Sequence, residues 1–186
     1  MSSGNASDAK LPPPPILPRI GREGVHRILD VMPGLDRREI FRSIAGTHPT
    51  KDLAERARVV CFRGEGFPRV DDETGHILCP DRYTTAHEPL SIYLDMVHEL
   101  VHTRQVFQGN PVYHFPKPYV EWPTEIEAYR ITYEEAHRLG VPDAWFWDYL
   151  AVPWVTEAEL LRLGRSIGLP PPAAHPDMRE RDGARR

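Results

Sequence analysis

Two histidines and a glutamate in one short stretch, His98-Glu99-Leu100-Val101-His102, are the residues best spaced to do chemistry together. On a helix, side chains four positions apart stack on one face, so His98 and His102 would offer two imidazoles to a single Zn²⁺ at about 2.0–2.1 Å each. Glu99 is rotated off that face and is placed to reach a water on the metal, the general-base position of a metallohydrolase. Catalytic zinc takes three protein ligands and leaves the fourth position open. One more His, Glu or Asp is therefore required.

The helix itself is legible. Pro89 suits a first helical position, and Leu90, Tyr93, Leu94, Val97 and Val101 recur at helical spacing. A second helix opens at Pro123, with Ile126, Tyr129, Tyr133 and Ala136 at helical intervals and Gly140 as its stop. Glu121, Glu125 and Glu127 lie at or near its start, and the interval from His102 leaves the chain room to reverse and lay this helix beside the first.

An HExxH pattern followed by a helical Glu, with Ala three positions after that Glu, resembles the gluzincin metallopeptidases. The likeness is to small single-domain members, the minigluzincins and the ImmA/IrrE-type peptidases, and spans roughly Gly75 to Leu139. It implies a zincin-like fold, peptide-bond hydrolysis, His98, His102 and Glu125 as zinc ligands, and Glu99 as base and proton shuttle. The position of Ala128 favours Glu125, with Glu127 and Glu121 as rival third ligands. Tyr129 departs from the pattern, because many relatives carry Asp or Asn there to orient a ligand histidine.

Around this centre, Asp95 lies on the flank of His98, where it either accepts a hydrogen bond from a ligand imidazole or is a solvated helix charge. The loop between the two helices, Gln108 to Tyr119, is rich in Gly, Asn and Pro and must pass near the metal because both its ends carry ligands. Tyr113, His114 and Tyr119 are thus candidates to stabilise the oxyanion of a hydrated carbonyl, with His114 and Tyr119 the chosen pair. His76 and His87 are further candidates to line the cleft.

Strand-like periods occur at Arg58–Phe62 and His76–Cys79, separated by the turn Asp71–Gly75. Cys61 and Cys79 sit inside these apolar stretches and read as buried free thiols, with a disulfide between neighbouring strands as the alternative. Val25, Ile28, Leu29 and Met32 suggest a short amphipathic helix; Asp36 could cap another through Ile40, Phe41 and Ile44. His26 and His48 read as surface residues. Pro142–Leu150 suggests a helix carrying Trp145, Phe146 and Tyr149, and Thr156 with Glu159 is a capping-box signature for a last helix ending near Gly168. The four tryptophans between 122 and 154 are expected to pack over the zinc helices, with a partner surface as the reading for any exposed subset.

The expected fold is α+β and zincin-like: a small β-sheet packed against an active-site helix and a glutamate-bearing helix, with a helical C-terminal part. One domain over 19–169 lies between a flexible proline-rich tail (1–18) and a flexible, proline-rich and charged tail (170–186). A 40% hydrophobic content and a net charge of −4 give no overall basic field for nucleic acid or anionic membrane. No apolar run approaches the eighteen or so residues of a membrane span, and the N-terminus does not read as a signal peptide, so the expected location is the cytoplasm. The expected partner is a peptide or protein substrate. Two other classes share the same motif: a 2-His-1-carboxylate iron enzyme, and a zinc-stabilised regulatory or interaction domain without catalysis.

Overall fold

Helix α5, Pro89–Phe107, is the axis of the molecule in a computed structural model that describes residues 11–20, 23–110, 112–113 and 116–172. Residues on every face of it are buried, from Leu90 to Gln105, polar as well as apolar. A helix so enclosed has neighbours on all sides. They are helix α2, Glu39–Ala45, helix α6, Pro123–Arg138, and two strands of a sheet. Each fully enclosed side chain such as Leu94, Leu100 or Val101 contributes about 1.5–3 kcal/mol of burial free energy.

The sheet has four strands in the order β1-β2-β4-β3: β1 Gly24–Arg27, β2 Arg58–Phe62, β3 Arg69–Val70 and β4 Ile77–Pro80. β1 runs antiparallel to β2, β2 parallel to β4 with Cys61 opposite Cys79, and β3 antiparallel to β4. The β3–β4 turn falls where the sequence placed it, with the Asp71 carboxylate accepting from the Thr74 amide at 2.8 Å and Gly75 at φ +69°. The architecture is thus α+β, with a small mixed sheet whose strands β3 and β4 pack on α5, while α6 lies alongside α5. Both cysteines are buried and form no disulfide, in keeping with the thiol reading.

Pro89 and Pro123 each open their helix as anticipated. Gly140 takes φ +80° at the end of α6, where the Val141 amide reaches back to the Ala136 carbonyl at 2.9 Å. Two shorter helices, α7 Asp143–Leu150 and α8 Glu157–Ile167, complete the C-terminal part, α8 beginning in the Thr156/Glu159 capping box and ending at Gly168. Trp147 of α7 is buried against Gly164 of α8, with its indole N–H on the Pro170 carbonyl at 2.9 Å.

Several local expectations are corrected. Residues 24–27 are strand, because pairing with β2 satisfies their backbone groups, and helix α1 is only Ile28–Val31. Asp36 caps nothing: it lies inside a 3-10 turn, Leu35–Arg37, and Arg38 is the residue that precedes α2. His48 is nearly buried, its Nε2 2.7 Å from Asp52 on helix α3, Thr50–Arg56. The proline-rich segment is held from residue 11 on: Ile16 joins the core and Arg38 donates to the Pro15 carbonyl at 3.2 Å. The rest of both expected tails, 1–10 and 173–186, lies outside the described residues. A short helix, α4 Tyr83–Ala86, had no signature in the sequence. No helix among the described residues is long and apolar enough to cross a membrane.

Candidate metal centre

His98 and His102 project from the buried middle of α5, and Glu125 comes from the first turn of α6, which packs alongside. The two Nε2 atoms are 3.0 Å apart, and each lies 3.4 Å from one oxygen of Glu125. A tetrahedral metal with ligand bonds of about 2.0–2.1 Å separates its donor atoms by about 3.3–3.4 Å. The distances to Glu125, which run to its two different oxygens, match such an edge, and the Nε2 pair at 3.0 Å stands slightly inside it, so the three side chains converge on one ion-sized space. His98, His102 and Glu125 are 6%, 2% and 2% exposed, so the site is enclosed by protein on the ligand side. This cluster of two imidazoles and a carboxylate can hold a metal ion.

Glu125 is the third member because its rivals are engaged elsewhere. Glu127 binds Arg104 at 2.9 Å, and Glu121 lies 3.7 Å from Arg162 at the surface. One turn further along α6 from Glu125, the Tyr129 ring packs against His98 with centroids 4.4 Å apart. No hydrogen-bond partner for His98 Nδ1 occurs among the described residues. The second histidine is oriented differently, by a residue the sequence reading did not single out for this. Gln105 donates its amide to the Thr124 carbonyl (3.1 Å) and to Glu127 (2.8 Å). Neither group can donate in return, so the Gln105 oxygen is left to accept from His102 Nδ1–H at 2.7 Å. That places the proton on Nδ1 and turns the Nε2 lone pair of neutral His102 into the site. The signal was available: Gln105 follows His102 by three positions, on the same helical face.

The electrostatics match a site that wants a cation. Burial alone would raise Glu125, but His102 and His98 beside it hold its carboxyl far below the usual range. Burial would lower His102, yet Glu125 draws it up to about 9. Burial lowers His98. Without a metal, a proton on His102 supplies the positive charge that the buried Glu125 needs.

Glu99 is 8% exposed, its Oε2 has no hydrogen-bond partner, and burial pushes its carboxyl up to about 8. The Val70 amide of β3 donates towards it. Glu99 and His98 reach the floor of an open cleft of about 300 Å³, a size that admits a small ligand.

Other expected site residues fall as follows. Tyr119 lines the cleft, shares a 2.9 Å hydrogen bond with the Tyr129 hydroxyl and lies within hydrogen-bonding reach of Glu125. Tyr113 is half-buried, and the field of Glu99 and Glu125 adds to burial in raising its hydroxyl. His114 lies outside the described residues. His87 lines the cleft, stacked on Tyr83 at 4.2 Å; His76 does not. Asp95 fits neither role foreseen for it: it is a cleft residue that accepts hydrogen bonds from Tyr83 and, at 2.6 Å, from Tyr149. Of the tryptophans, Trp154 stands at the cleft, 57% exposed, rather than packing over the helices. No protein-family model matches this chain, and no curated protein or solved structure matches it either.

Proposed function

We propose that this chain is a zinc-dependent peptidase of zincin-like architecture, resembling the gluzincins, with His98, His102 and Glu125 as the metal ligands. The observation that carries the reading is the joint placement of three converging donors and the unsatisfied, buried Oε2 of Glu99 at the floor of an open cleft. Structural zinc sites close with four protein ligands, whereas three side chains beside a cleft suit catalysis. A bound divalent ion supplies Lewis acidity towards a carbonyl oxygen and a water whose pKa falls towards about 7.

The chain's own groups do the rest. Glu99 Oε2 takes the proton of the attacking water and passes it to the nitrogen of the leaving amine. Burial raises the Glu99 carboxyl, which strengthens its carboxylate as the base of the first step. Tyr119 donates its hydroxyl to the developing oxyanion, while Tyr129 fixes the Tyr119 hydroxyl in place. His114 is the other oxyanion candidate. β3 is an edge strand that contacts α5, and its side not paired with β4 offers backbone groups to an extended peptide, the β-augmentation mode. The substrate is a peptide or protein, and the expected location is the cytoplasm.

The test pairs metal content with turnover. Wild-type protein purified without a histidine tag should carry near one zinc per chain, and Glu125→Ala should lose it. Glu99→Gln should keep the zinc and lose nearly all hydrolysis of a peptide mixture. Full activity in Glu99→Gln, or unchanged zinc in Glu125→Ala, would overturn the assignment.

A further inference from the structure

The cleft beside the metal centre has a charge balance of its own. Asp95 and Asp148 line it together, beside His98 and Glu99. Neither forms an ion pair among the described residues, and no Lys or Arg is among those that line the cleft. Asp95 is partly buried and held only by the hydroxyls of Tyr83 and Tyr149, and burial pushes its carboxyl up to about 7. Such a group gains most from a cation brought in by a ligand.

The walls match that ligand. Among the described residues four large apolar side chains are notably exposed, and two of them, Phe67 (46%) and Trp154 (57%), belong to this cleft. They meet edge to face at 5.7 Å, and Phe67 also lies 6.0 Å from Tyr83. Exposed aromatic faces next to carboxylates attract cations through the ring quadrupole as well as through charge. Glu99, more than nine-tenths buried with a free oxygen, places the proposed chemistry on the same floor.

We propose that the cleft is a subsite for a cationic group of the substrate, a guanidinium or ammonium, with Asp95 and Asp148 as its counter-charges and Phe67, Trp154 and Tyr83 as its aromatic walls. The inference extends the peptidase reading by naming its substrate class: peptides with a basic side chain, or a free amino terminus, next to the bond that is cut.

The experiment uses the zinc-supplemented full chain and titration calorimetry with N-acetyl-arginine amide, its neutral isostere N-acetyl-citrulline amide, and alanine amide with and without an N-acetyl group. The arginine probe should bind at least about tenfold more tightly than the citrulline probe if the cation is a side chain. If the cation is a chain terminus, the free amine of alanine amide should show the same preference over its acetylated form. Asp148→Asn, at an exposed position that the fold does not need, should weaken the preferred probe about two- to fivefold. Asp95→Asn should weaken it by about tenfold or more. Equal binding of charged and neutral members of both pairs overturns the proposal, even if uncharged peptides are cut and the peptidase reading stands. Selective binding of a cationic probe without hydrolysis of any peptide upholds the subsite and refutes the peptidase reading.

Discussion

Replacing Gln105 by leucine asks whether the metal centre depends on the residue that sets the His102 tautomer. Gln105 is 1% exposed and makes three hydrogen bonds, to His102 Nδ1, the Thr124 carbonyl and Glu127. Leucine fills similar space but leaves the His102 Nδ1–H buried without a partner, at about 1–3 kcal/mol in stability. Freed from Gln105, His102 can carry its proton on Nε2 and rotate, so ligand geometry must be regained on binding. Loss of such an orienting partner lowers metal affinity by about 10–100-fold, or about 1.4–2.7 kcal/mol. Gln105→Glu separates the two effects: it keeps an acceptor for Nδ1–H, but sets a second carboxylate beside Glu127 and loses the bond to Thr124. Zinc Kd from competition with a chelating fluorophore, together with thermal melts of the metal-free proteins, should show both variants destabilised and only Gln105→Leu weakened for zinc by the stated factor. A folded Gln105→Leu with wild-type Kd, or equal weakening in both variants, would refute the orienting role.

Metal uptake should be proton-coupled. With His102 raised to about 9 by Glu125, its protonated form predominates below that pH and must release a proton to become a ligand. Zinc affinity should therefore rise by up to about tenfold per pH unit towards 9 and level off above it, whereas a pH-independent Kd would contradict the pairing. Gly164→Ala should destabilise the fold by about 1–3 kcal/mol despite the better helix propensity of alanine, because the new Cβ would stand 2.0 Å from the buried, hydrogen-bonded Trp147 ring. Chemical denaturation would measure it, and an unchanged midpoint would show that the two helices can part without cost. Cys79, fully buried and with its thiol pushed up to about 12 by burial, should resist iodoacetamide at pH 8 until the protein is unfolded; labelling of the native chain would mean the sheet opens locally.

The parts of the site that follow helical spacing were legible in the sequence. His98, Glu99 and His102 needed only the period of an α-helix, and Glu125 needed only a second helix announced by Pro123. The position of Ala128 already favoured Glu125; why Glu127 and Glu121 drop out is visible only in the fold, where Arg104 and Arg162 engage them. The same limit hid β1: Val25 and Ile28 fit a helical period, and only the partner strand Arg58–Cys61 makes residues 24–27 extended. Asp95 was ambiguous because its hydrogen-bond donors, Tyr83 and Tyr149, come from opposite sides of the helix in sequence. The cleft mouth was invisible for a like reason, since Phe67 and Trp154 are remote in the chain and neither sits in a periodic element.

That last placement divides the chain's tasks. The metal donors and Glu99 stand on long helices buried in the core, where most substitutions disturb folding. Phe67 and Trp154 stand on connecting segments, half exposed, where changes usually shift stability by no more than about 0.5 kcal/mol. Selectivity can thus drift or be engineered while the reaction chemistry stays fixed. A library randomised at these two positions alone would retarget the cleft without rebuilding the protein beneath it.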